Sequence, residues 1–353
     1  MKQITKNVMR PIMAAVTCAA IGVGLAIGSP LSGTAEQGQY TGKRMVLTED
    51  SIRFGAYDPH GDFAGESRAS IEHIFMPWED VDLSDLQRVD AYALERGREL
   101  LITVEPWSWA KRVTDSSALL TGILSGDYDS TINTVCSAIS ELDSPVNIRW
   151  GQEMEDPTGP FPWARWSPPD FIAAYRHFVT ECRKVLPNAQ YVWSPKGIEP
   201  LLDFYPGDEY VDEIGLSVFG YQPYDKLAFG GERTFVQALE PGYRLVEGFG
   251  KPIIVAELGY EGDQDYITRW ANSVTMPHEE FPGLTAVVYF NTVETFQWPL
   301  NMGRPDWRIG SPPTVSRSAA EPGKQSAREP DCEALANQTP KVTTDFGIEP
   351  LCN

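Results

Sequence analysis

Eight short runs rich in apolar and β-branched residues mark the chain at intervals: Ile52–Tyr57, Glu72–Met76, Leu100–Glu105, Val146–Trp150, Tyr191–Trp193, Glu213–Val218, Pro252–Ala256 and Leu284–Phe290. Between several of them apolar residues recur at helical spacing. Leu83, Leu86, Val89, Ala93 and Leu94 form one stripe, stopped by Gly97, and Phe171, Ala174, Tyr175, Phe178, Cys182 and Val185 form another before Pro187. Phe235, Leu239, Tyr243 and Val246 make a third before Gly248, and Ile267, Trp270 and Val274 a fourth before Pro277. Strand patterns alternating with helical ones predict an α/β fold with a parallel sheet. Eight such units in about 260 residues predict a (β/α)8 TIM barrel over an open doubly wound sheet. No glycine-rich dinucleotide or phosphate fingerprint follows the first run, which further disfavours the open sheet.

The ends of the chain read differently. Lys2, Lys6 and Arg10 precede an uncharged small or apolar run from Ile12 to Gly28, and Pro30, Ser32, Gly33, Thr34 and Ala35 follow. This is the pattern of a signal peptide cleaved after Ala35, and it implies a secreted or periplasmic protein. The other reading is an uncleaved anchor, because the run approaches the roughly 18 residues that a span needs. Its Ala and Gly content makes it weakly hydrophobic and favours cleavage, and no stable membrane insertion is expected. The expected organisation is a signal peptide over 1–35, a polar lead-in over 36–50, the barrel domain over 51–310 and an irregular tail over 311–353. That tail is rich in Pro, Ser, Ala, Glu and Lys and has few large apolar residues.

The whole chain carries 29 basic and 49 acidic residues, a net charge of −20. Without its first 35 residues, which hold three basic side chains and no acid, 26 basic residues face 49 acidic ones, a net −23. Nucleic acid and acidic polysaccharides would be repelled, whereas a neutral glycan would not; the charge also serves solubility. Cys136, Cys182, Cys332 and Cys352 remain beyond the signal segment. An even count in an exported chain suggests two disulfides, and nearest-neighbour pairing, Cys136–Cys182 and Cys332–Cys352, is favoured among three connectivities. The alternative is free buried thiols. His60, His73, His177 and His278 are scattered and no C-x-x-C occurs, so no catalytic metal and no cofactor are expected. The protein is expected to be a monomer.

The chemistry gathers after the fourth run. Val146, Ile148 and Trp150 end at Gly151, and Gln152-Glu153-Met154-Glu155-Asp156 follow at once. Pro157, Gly159, Pro160 and Pro162 then forbid a regular element, and Phe161, Trp163 and Trp166 stand beside the acids. Carboxylates next to aromatic rings suit sugar chemistry: the acids move protons or attack the anomeric carbon, and rings stack on pyranose faces. The other reading is a solvated acidic loop with core tryptophans. A barrel puts its site where the strands end. Those ends read Tyr57-Asp58, Pro77-Trp78, Glu105-Pro106-Trp107, Gln152-Glu153, Ser194-Pro195-Lys196, Phe219-Gly220-Tyr221, Glu257 and Asn291. Glutamates Glu153 and Glu257 stand at the ends of the fourth and the seventh, with tryptophans on several neighbouring strands.

The block Ile148-Arg149-Trp150-Gly151-Gln152-Glu153-Met154, with Pro162-Trp163 later, resembles glycoside hydrolase family 26, which holds β-mannanases and some β-1,3-1,4-glucanases. Val104-Glu105-Pro106-Trp107, Tyr191–Pro195, Tyr205–Asp212, Lys251–Gly259 and Tyr289-Phe290-Asn291 fit the same pattern in the same order. The resemblance spans Ile52 to Arg308. It implies Glu153 as general acid/base and Glu257 as nucleophile of a retaining β-glycosidase, with carboxyls about 5–5.5 Å apart. Gln152, Trp107, Trp163, Trp166, Tyr221 and Trp298 are the candidate substrate contacts, with some tryptophans expected to be packing. Gln152 stands where the family usually has His, and Phe219 where it usually has Tyr. Both departures touch the subsite of bond cleavage and leave the sugar open. Glu105 and Arg149 are expected to form a buried ion pair, Glu155 and Asp156 to be solvated, and Lys196 to meet either a sugar hydroxyl or solvent. The expected function is a secreted endo-acting hydrolase of β-mannan or β-glucan. Alternatives are a hydrolase trimming a self-made exopolysaccharide and a barrel that binds glycan without cleaving it.

Overall fold

The computed structural model describes residues 42–107 and 115–313. The expected signal segment and the Cys332–Cys352 bridge lie outside the described residues. In chain order the elements are β1 (Arg53–Tyr57), β2 (Ala69–Pro77), α1 (Asp85–Glu95), β3 (Glu99–Glu105), α2 (Ser116–Ser125), α3 (Asp129–Ser140) and β4 (Val146–Trp150). Then come α4 (Pro168–Arg183), β5 (Gln190–Trp193), β6 (Glu213–Tyr221), α5 (Gln222–Ala228), α6 (Phe235–Val246), β7 (Ile253–Glu261), α7 (Gln264–Ala271) and β8 (Leu284–Phe290). The strands close into a barrel in sequence order, every pair parallel, with β8 bonded back to β1. This is the (β/α)8 architecture that the alternating pattern predicts.

Two connections carry no α-helix among the described residues. Between β1 and β2 the Asp58 carboxylate accepts from the backbone N–H of Asp62 and Phe63, which winds the chain into turns instead. Between β5 and β6, Pro195, Pro200 and Pro206 limit the chain to short 3-10 turns, Leu201–Phe204 and Asp208–Tyr210. Elsewhere the helices start where capping chemistry allows. Asp115 caps α2, Ser167 caps α4 just ahead of Pro168 and Pro169, and Thr234 with Gln237 forms a capping box on α6.

Ile71, Leu101, Val192, Ile254, Ala256, Ala286 and Val288 pack together as the apolar filling of the barrel interior. A larger core lies between strands and helices. It takes in Met45, and Lys43 donates to Ser311 Oγ at 2.7 Å, so the packed chain reaches back before β1. Cys136 of α3 is bonded to Cys182 of α4, as nearest-neighbour pairing anticipates.

Candidate active site

The loop after β4 leaves the barrel through an unusual backbone. Gly151 has φ +60°, and a Cβ there would come within 3.2 Å of the Phe171 ring. Glu153 also sits in the left-handed region, at φ +55°, which is uncommon for a side-chain-bearing residue. Its backbone N–H donates to Ser194 O at 2.8 Å, tying the ends of β4 and β5 and holding this conformation.

β7 is longer than its apolar run suggests. Glu257 lies inside the strand, not just after it. Leu216 of β6 pairs with Val255 but Ser217 pairs with Glu257, so β7 carries an extra residue. This bulge lets both Ala256 and Glu257 face the interior, where strict alternation would send one of them outward. Glu257 Oε1 accepts from Arg149 Nη1 at 2.6 Å. The guanidinium is fully buried and is held by Ser194 Oγ (2.7 Å from Nε), with Thr103 Oγ1 at 3.5 Å and His73 bonded to Thr103 beneath. Burial pushes the Glu257 carboxyl up to about 7; Arg149 opposes that, while the charges of Glu153 and Glu294 add to it. Burial also holds His73 well below the usual imidazole range, so it sits under the site as a neutral ring.

Arg149 therefore pairs with Glu257, and the ion pair expected with Glu105 is replaced. Glu105 instead accepts from Gln152 Nε2 at 2.7 Å and Trp107 Nε1 at 3.0 Å, and burial raises its carboxyl despite both bonds. Gln152 is 1 % exposed and its Nε2 is committed to Glu105. Trp107 is half-buried at the edge of this group, with its ring 5.2 Å from Trp163 and 6.1 Å from Phe161.

Two candidate sugar contacts need correcting. Trp163 is 0 % exposed and Trp166 is 5 % exposed, so neither ring offers a face to a ligand. The proline-rich loop folds back and uses them as packing: Trp163 Nε1 donates to Gln152 O and Trp166 Nε1 to Ser116 O. Trp78 is likewise buried, stacked on Tyr128. Nor are Glu155 and Asp156 solvated. Glu155 is 2 % exposed, pushed up to about 7 by burial, and accepts from the N–H of Gly197 and Ile198. Asp156 is paired with Lys196 at 2.6 Å, and the lysine side chain, 38 % exposed, still meets solvent.

On the far side, Tyr221 and Trp298 are half-buried neighbours with ring centroids 6.1 Å apart. The Tyr221 hydroxyl donates to Met302 O and so anchors the loop that carries Trp298. Phe219 stands 5.7 Å from Trp298, and Tyr224 6.1 Å. Tyr57, Phe75 and Phe290 form a further aromatic group near the strand ends. The sequence reading missed a further carboxyl: Glu294, which accepts from Trp307 Nε1 and is raised by burial and by Glu153. It follows β8 in the chain, but an isolated acid in a polar loop carries no signal of its own.

The Glycosyl hydrolase family 26 model matches residues 108–240. Among curated proteins, a β-1,3-xylanase of Vibrio sp. is 29% identical over 123 residues, 30% of this chain and 26% of that protein. A β-1,3-xylanase of Alcaligenes sp. is 28% identical over 123 residues, 30% and 25% of the two chains. The chain thus spans about a quarter of the length of the curated relatives it matches. Among solved structures, a modular endo-β-1,4-mannanase from Cellulomonas fimi aligns with TM-score 0.54 at 17% identity, over 68% of this chain and 65% of that one. A family 26 β-mannanase from Bacteroides ovatus aligns with TM-score 0.50 at 19% identity, over 69% and 81%. At such identities these two show the fold. The fold is a closed (β/α)8 barrel that carries carboxyls at its strand ends. The family 26 match over residues 108–240 agrees with the motifs read along the chain and with the architecture.

Proposed function

We propose that this protein hydrolyses internal β-glycosidic bonds of a polysaccharide with retention of configuration. The observation that carries this is Glu257, aimed inward by the β7 bulge, bonded to Arg149 and within electrostatic reach of Glu153. Glu257 attacks the anomeric carbon as the bond to the leaving oxygen breaks, and Glu153 gives that oxygen its proton. The Glu153 carboxylate then takes a proton from water, the water oxygen attacks the same carbon, and Glu257 is released. Arg149 favours the ionised form of Glu257 that the first step needs. Trp107, Tyr221 and Trp298 are the proposed sugar contacts, Trp107 and Trp298 through their rings, while the buried Gln152 holds Glu105 in place. β-Mannan and β-glucan are the substrates implied by the motifs. The names of the curated relatives add β-1,3-xylan, and all three belong in one reducing-sugar screen.

Mutation of the pair tests the assignment. Glu257→Ala should abolish turnover of every substrate. Glu153→Ala should lose most activity on polymer but retain it on aryl glycosides, whose leaving groups need little acid help, with azide restoring rate. Azide rescue of Glu153→Ala should give product of retained configuration, and any rescue of Glu257→Ala inverted product. Opposite stereochemistry, or full polymer activity in Glu153→Ala, would sink the roles. Wild-type protein that binds β-glycans but cleaves none would leave the binding-only barrel. Export is part of the same proposal, supported by the Cys136–Cys182 disulfide, which an oxidising compartment favours. N-terminal sequencing of exported protein should begin close to Glu36, and an intact Met1 in a membrane fraction would argue for an anchor.

A further inference from the structure

We propose that Asp129, His177 and Glu181 form a binding site for a divalent transition-metal ion, Zn2+ foremost, on the outer helical ring. The site is independent of the proposed hydrolysis. His177 and Glu181 are four residues apart on α4 and so project from one face. Asp129 opens the neighbouring helix α3. Its Oδ1 is 2.6 Å from His177 Nε2, and one ligand atom from each of the three residues lies within 4.8 Å of the others. Ligands of one tetrahedral Zn2+ at about 2.0–2.2 Å stand roughly 3.3–3.6 Å apart, so the 2.6 Å Asp129–His177 contact would open as the Glu181 carboxyl rotates in. One imidazole and two carboxylates, with a fourth position left to water, is a donor set that Zn2+ accepts. An imidazole also distinguishes this group from a purely acidic cluster, which would suit Ca2+ or Mg2+.

Three features of the surroundings bear on the site. The Cys136–Cys182 bridge joins the same two helices, with Cys182 next to Glu181 in sequence, so the ligands are held near each other before any ion arrives. Side-chain exposures of 24 % for His177, 43 % for Asp129 and 18 % for Glu181 leave the group open to solvent. Against the site stands Lys184, which pairs with Glu181 Oε2, so an ion must take the other oxygen or displace the ammonium. The competing description is a simple imidazole–carboxylate pair that holds no metal.

Tag-free full-length protein with its disulfide intact, stripped with chelator and titrated with ZnCl2 in a calorimeter, separates the two. The site predicts one Zn2+ per chain and a visible-band spectrum of low coordination number with CoCl2. At Zn2+ about a hundredfold above Kd, Tm should rise by roughly 5–10 °C. His177→Ala and Glu181→Gln should each weaken binding about tenfold or more while leaving glycan turnover unchanged. Glu181→Gln alters one exposed oxygen and serves if His177→Ala fails to fold. No Zn2+ uptake by wild type, uptake unaltered in the variants, or tighter binding of Ca2+ than of Zn2+ overturns the proposal.

Discussion

Glu257 is proposed to act as a carboxylate in a place that resists charge, and the balance there sets a measurable pH dependence. Burial pushes it up to about 7 and Arg149 pulls the other way. Since the attacking form is ionised, kcat/KM should rise with pH through about 7 on the acid side of its profile. Arg149→Met removes the opposing cation, so the acid limb should move to higher pH and kcat should fall; Arg149→Lys should restore part of the shift. Glu155 and Glu213 are also pushed up to about 7 by burial, for structural reasons. Each folded carboxyl then holds a proton that the unfolded chain releases above the usual carboxylate range near 4.5. Stability from these groups is therefore full below that range and is lost as pH rises toward 7, at up to about 1.4 kcal/mol per group per pH unit. Melting curves should show a higher Tm at pH 5 than at pH 7.5, and Glu155→Gln or Glu213→Gln should flatten the difference. The strand-end positions of Glu153 and Glu257 were legible because each follows an apolar run, and their roles remain the proposal made above. The partner of Arg149 was not, because the β7 bulge that turns Glu257 inward comes from pairing with a strand distant in sequence.

Secondary elements differed in how much the pattern disclosed. All eight strands fall on the eight apolar runs, with β6 and β7 running three and five residues longer at their C-terminal ends. Those extensions hold Gly220 and Gly259, residues that weaken a strand pattern and are present because aromatic rings press on the backbone; a Cβ on Gly259 would lie 2.8 Å from the Trp307 ring. The loop after β4 was harder to read, since a proline-rich segment gives no period from which to decide which way its tryptophans turn. Trp163→Phe tests its bracing role. Losing the bond to Gln152 O should cost about 1 kcal/mol and lower kcat with little change in KM. Trp298→Ala should instead raise KM on polymer, if its half-buried ring meets sugar. Between helices, the Cys136–Cys182 bridge closes a separation of 46 residues, and Cys136→Ala/Cys182→Ala should lose about 2–4 kcal/mol, read as a drop in Tm of about 4–16 °C.

At the scale of the molecule, the barrel is a ring whose last strand bonds to its first. β1 meets β8 along Arg53 to Tyr57, opposite Ala286 to Phe290, so the seam joins segments roughly 230 residues apart. During synthesis at about 5–20 residues per second, β1 has emerged for roughly 10–50 seconds before its second neighbour exists. In that interval β1 lacks one of its partners, and the rings later enclosed by the closed barrel face water. A chain stopped before Leu284 makes this condition permanent: it should lack glycan turnover and sediment as aggregate, whereas the complete chain stays dispersed. The seam thus acts as a clock on biosynthesis. It postpones the meeting of Glu153, Arg149 and Glu257 in a finished ring until nearly all of the barrel has been made, and it gives any factor that shields nascent chains a defined window in which to act.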